Sequence, residues 1–75
     1  MKESLKIKVI DSNHLNDIVN LLSQKGLKIG VNLTSNPKWV TIGKLGRYYG
    51  FFDFNPSQYH REVTLDKVIE EFIND

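Results

Sequence analysis

Cysteine is missing from this chain, proline occurs twice, and methionine and tryptophan once each. The first absence removes disulfide scaffolds, thiolate zinc sites and cysteine nucleophiles, and it suits a reducing compartment. Long apolar runs are missing too. The opening Met1-Lys2-Glu3-Ser4-Leu5-Lys6-Ile7-Lys8 mixes charge with apolar residues and lacks the continuous stretch of a signal peptide, and nothing later approaches membrane-spanning length. The expectation is a cytoplasmic protein with no membrane partner, in which the acceptor triplet Asn32-Leu33-Thr34 carries no weight as a glycosylation site.

What is present is one domain over residues 1–75. A chain this short buries only roughly 60% of the surface its unfolded form exposes. With no disulfide and no cluster of metal ligands, packing alone, or packing plus self-association, must hold it. The net charge of +1 conceals an uneven distribution. Nine Lys/Arg stand against four Asp/Glu from Met1 to Arg61, a net of +5, whereas one Lys opposes five acids from Glu62 onward, a net of −4. The pattern describes a basic body with an acidic last helix.

Periodicity gives the order of elements. Leu5, Ile7 and Val9 alternate with Lys6 and Lys8 as in a strand with one buried face. Asp11 suits a helix N-cap, with Ile10 and Leu15 placed for a hydrophobic staple. Leu15, Ile18, Val19 and Leu22 form one helical stripe, and Lys25-Gly26 ends it, predicting a helix over 12–25. Leu27, Ile29, Val31 and Leu33 alternate again. The segments 39–42 and 47–54, rich in aromatic and β-branched residues, flank Gly43-Lys44-Leu45-Gly46 as two arms of a hairpin. Thr64 caps a last helix with the stripe Leu65, Val68, Ile69 and Phe72, and with Val63 and Val68 as its staple. The fold class that follows is α+β: a small antiparallel or mixed sheet, order β-α-β-β-β-α, with both helices on one face.

That layering leaves the other face toward water. Leu5, Ile7, Val9, Leu27, Ile29 and Val31 should point to the helices, and Lys6, Lys8, Lys28 and Asn32 away from them. A three-residue loop Lys44-Leu45-Gly46, with Gly46 left-handed, would group Trp39, Thr41, Arg47, Tyr49, Phe51 and Asp53 opposite Val40, Ile42, Tyr48, Phe52 and Phe54. It is preferred because Arg47 and Asp53 then reach solvent. A two- or four-residue loop would put Trp39 with Tyr48, Phe52 and Phe54 instead. The expected binding residues are therefore Lys6, Lys8, Lys28, Trp39, Arg47, Tyr49 and Phe51. Aromatics are also good strand formers, and the segment from Asn55 to Glu62 could fold back and cover them.

An exposed aromatic patch in a charged rim has the composition of a protein-binding surface. Docking onto a protein partner, or onto a second copy of the chain as a homodimer, is the first expectation. The alternative is nucleic acid, with rings stacking on bases and Lys and Arg on phosphates. A sequence pI near 8.0 and the acidic last helix weigh against it. Catalysis is not expected. His14 and His60 lack neighbours that would make a nucleophile pair or a metal site, and Gly43, Gly46 and Gly50 lie in a hairpin rather than ahead of a helix, so no small-molecule cofactor is implied.

From the first helix onward the order α-β-β-β-α, with Gln24-Lys25-Gly26 to Lys38-Trp39-Val40, resembles the double-stranded-RNA-binding domain as shared topology. The last helix departs from it, opening Thr64-Leu65-Asp66-Lys67 where that family places phosphate-gripping lysines. The short, bipolar, disulfide-free chain also resembles small phage or mobile-element proteins that inhibit or redirect a host enzyme by occlusion.

Overall fold

The computed structural model describes residues 3–56 and 58–74, the last four as backbone. Seven elements follow in order: β1 (Leu5–Lys8), α1 (Ser12–Gln24), β2 (Lys28–Asn32), β3 (Trp39–Ile42), β4 (Tyr48–Phe52), β5 (Arg61–Glu62) and α2 (Leu65–Asn74). The fold is α+β, with a five-stranded mixed sheet in the order β2-β4-β3-β1-β5. β3 runs antiparallel to both β1 and β4, while β2 is parallel to β4 and β5 parallel to β1. The element β5 adds one strand to the expected order. Two charged residues leave no alternation to detect, and main-chain bonds hold the strand: Arg61 N–H donates to Ser4 O at 3.0 Å and Val63 N–H to Lys6 O at 2.9 Å.

Both ends of α1 are fixed by local chemistry. The Asp11 carboxylate accepts from the His14 backbone N–H at 2.8 Å, satisfying a donor that has no partner within the helix. At the other end Gly26 adopts φ 85°. Its N–H donates to Ser23 O, and the Leu27 N–H donates to Leu22 O, both at 3.0 Å. This pair of bonds is a Schellman motif, completed by the burial of both Leu27 and Leu22. The staple expected from Ile10 does not form. Ile10 is 78% exposed, and its N–H donates instead to His14 Nδ1 at 3.1 Å.

The core lies between the helices and one face of the sheet. Ile18 and Leu22 from α1 and Val68 from α2 meet Leu5, Ile7, Val40 and Ile42, with Leu27 at the margin. Val63 and Leu65 pack against this cluster, and Thr64 caps α2 by accepting from Lys67 N–H at 3.4 Å. Phe72, expected on the α2 stripe, lies outside the described side chains.

Two registers differ from expectation, each by one residue. In the hairpin, Trp39 lies opposite Phe52, Val40 opposite Phe51 and Ile42 opposite Tyr49. Gly43 N–H donates to Tyr48 O at 3.1 Å, so the loop is Lys44–Arg47, one residue longer than preferred. Gly46 is left-handed as expected, at φ 67°. Tyr49 and Phe51 consequently face the helices, and Tyr48 and Phe52 face away. Arg47 and Asp53 both sit beyond the ends of β4, exposed, where register does not decide their solvation.

In β2 the register shifts between Ile29 and Val31. A bulge at Gly30 leaves Ile29 opposite Tyr49 on the helix side, and turns Val31 opposite Gly50 on the other side. The expected orientations of Val31 and Asn32 are therefore exchanged. A Cβ on residue 30 would stand 3.1 Å from the Tyr48 Cβ, so a larger residue there would require the Tyr48 side chain to shift.

Candidate binding surface

The face away from the helices is partly roofed by the chain itself. β1 connects through α1 to β2 in one direction across the sheet, and β4 connects to β5 in the opposite direction. Two parallel connections of one hand that travel in opposite directions must lie on opposite faces. The segment after β4 does so and forms a strap. Phe54 packs edge-on against Phe52, ring centroids 5.5 Å apart. Asn55 Oδ1 accepts from Lys6 Nζ at 2.7 Å, and Pro56 is buried.

Beneath the strap the side chains stand in rows fixed by the pairing. The middle row is Val31, Gly50, Thr41, Lys6 and Glu62, and a second is Phe52, Trp39 and Lys8. Gly50 is a deliberate gap. A Cβ there would lie 2.8 Å from Thr41 Oγ1, 3.1 Å from Phe52 Cε1 and 3.3 Å from Val31 Cβ. The ring of Phe52 thus leans over the glycine and covers backbone that a side chain would otherwise occupy.

Lys6 is not the solvated cation expected of an outward strand position, because it is only 7% exposed. Its ammonium lies 5.3 Å from the centre of the Trp39 ring, within cation–π range, while Asn55 supplies an oxygen. A charge so covered needs partners of this kind. Lys6 therefore ties the strap to the sheet.

Of the seven expected binding residues, Lys6, Lys8, Lys28 and Trp39 share this face. Arg47 is exposed in the hairpin loop. Tyr49 and Phe51 form a tilted ring pair, centroids 5.7 Å apart, packed against the core on the helix side. Their places on the strap face are taken by Tyr48, Phe52 and Phe54, expected on the helix side. Tyr48 and Phe54 are each more than half exposed, and Phe52 and Trp39 are half-buried between them.

One signal in the sequence marks this half of the molecule. Between Asp17 and Asp53 there is no acidic residue, yet Lys25, Lys28, Lys38, Lys44 and Arg47 all fall there. That stretch contains all of β2, β3 and β4, so the aromatic half of the sheet carries positive charge without internal neutralisation.

Other places offer less chemistry. A cleft of about 240 Å³ beside the start of α2 is lined by Ile7, Lys8, Ile10, His14, Glu62, Val63 and Thr64. His14 Nδ1 is already engaged at the α1 cap. No group of three or more His, Cys, Asp or Glu among the described residues could hold a metal ion. No helix among those residues is long and apolar enough to cross a membrane.

Comparison with protein-family models, with curated proteins and with solved structures gives no match.

Proposed function

We propose that this chain is a cytoplasmic, non-catalytic binding module that docks onto a protein partner through the strap face of its sheet. The observation that carries the reading is the line of Tyr48, Phe52 and Phe54 beside Trp39, with Lys8 and Lys28 in the neighbouring strands. Rings held by a rigid sheet bury large area with little loss of conformational freedom, and cations at the rim select for an acidic counterpart. The acid-free stretch favours an acidic partner over a second copy of the same basic surface. Occlusion of a host enzyme by a small phage or mobile-element protein is one setting in which such a module acts.

Nucleic acid is the second reading, supported by the same rings and lysines. The two are separated by affinity capture from a host lysate with and without nuclease, using the wild type and the double variant Tyr48→Ala, Phe54→Ala. A protein that survives nuclease and is lost with the double variant supports docking. Loss of all captured material on nuclease treatment supports nucleic acid, and capture that ignores the double variant overturns the strap face as the site.

A further inference from the structure

The two edges of the sheet are built differently. β5, at one edge, has two residues, both charged, and Arg61 Nε pairs with Glu3 Oε1 at 2.6 Å. Short, charged edges of this kind resist pairing with other chains. β2, at the opposite edge, has five residues, all exposed, and its segment carries Ile29, Val31 and Leu33 at 43%, 44% and 59% exposure. It contains no proline and one charge, Lys28.

The main chain of β2 is also available. Lys28 N–H donates to Arg47 O at 3.0 Å and Leu33 N–H to Phe51 O at 3.2 Å, both toward β4. Strand alternation then turns the main-chain groups of Ile29 and Asn32 to the outer side. Every charged side chain from Lys25 to Arg47 is a cation, so a second copy pairing here would bring like charges together.

We infer that the β2 edge accepts an extended segment of an acidic partner protein as a sixth strand. Main-chain bonds to Ile29 and Asn32 would give affinity, the apolar side chains of β2 would give contact on both faces, and acidic side chains of the segment would meet Lys28 and Arg47. The inference rests on the protein-docking reading and names the partner's conformation and charge.

The test uses the full chain and an eight-residue peptide alternating valine with glutamate, against a peptide alternating valine with lysine. Titration followed by amide hydrogen exchange should show the glutamate peptide slowing exchange at Ile29 and Asn32, with the lysine peptide binding at least tenfold more weakly. Asn32→Pro removes an outward N–H and should weaken glutamate-peptide binding tenfold or more. Asn32→Lys, which keeps that N–H, should bind at least as well as the wild type. Should Asn32→Pro not fold, the exchange pattern of the wild type decides.

Unchanged exchange at both amides overturns the inference, as does equal binding of the lysine peptide. So do concentration-dependent protection without peptide, which signals self-pairing, and displacement of the peptide by a single-stranded oligonucleotide. If the edge fails while capture still depends on Tyr48 and Phe54, the docking reading stands and only the sixth strand falls.

Discussion

The two faces of the sheet solve different problems with similar raw material. On the helix face Leu5, Ile7, Val40 and Ile42 are sealed by Ile18, Leu22 and Val68, aliphatic side chains that fill volume without polar atoms. On the strap face the covered groups are Lys6 and Thr41, held by an aromatic ring, an amide and a glycine gap, and the rings around them stay half open. Aliphatic packing excludes water and carries the stability, whereas polar anchoring beneath exposed rings holds a shape while leaving area to bury later.

Substitutions can break or sharpen this contrast. Leu22→Ala, on the sealed side, should cost about 2–5 kcal/mol, measured by urea unfolding, and in so small a domain that empties much of the folded population. Gly50→Ala, on the strap side, should cost about 1–3 kcal/mol through overpacking against Thr41, Phe52 and Val31. Adding Thr41→Ala should recover part of it, and no recovery would show that the crowding lies elsewhere.

Lys6→Met keeps the stem and removes the charge, leaving Asn55 Oδ1 to find water. A loss of about 1–2 kcal/mol is expected, together with faster amide exchange over residues 53–55 and little change in α1. Phe54→Ala removes one edge-on ring pair, worth about 0.5–1.5 kcal/mol, so its effect on unfolding should be the smallest of the four while its effect on partner capture is large. A Phe54→Ala variant as unstable as Leu22→Ala would erase the distinction between the faces.

Much of the framework is legible in the residues. The alternation in Leu5–Lys8, the Asp11 cap, the stripe of α1 and its Gly26 terminus each have a single physical reading, and the structure realises them. The hairpin has no such reading, because β4 offers rings to both sides and the charges that might fix its register, Arg47 and Asp53, stand outside the strand. Gly30 is visible as a strand glycine, but only the shift of pairing register between Ile29 and Val31 shows that it marks a bulge. The strap depends on strand order, which periodicity does not encode. Three of the four rings on the open face, Tyr48, Phe52 and Phe54, read as inward in the register of a three-residue loop, and only the pairing settles their side. The acid-free run from Ile18 to Phe52, which covers β2, β3 and β4, is legible in the residues alone.

β1 pairs only with segments far along the chain from it: Leu5 lies opposite Ile42 on one side and Arg61 on the other. During synthesis β1 must wait for both its neighbours, with Leu5 and Ile7 lacking a strand partner until β3 emerges and one flank still open until β5 follows. Non-local pairing of this sort slows folding. A nascent chain halted before Arg61 would leave one flank of β1 unguarded, so the short strand β5 protects the sheet as well as completing it.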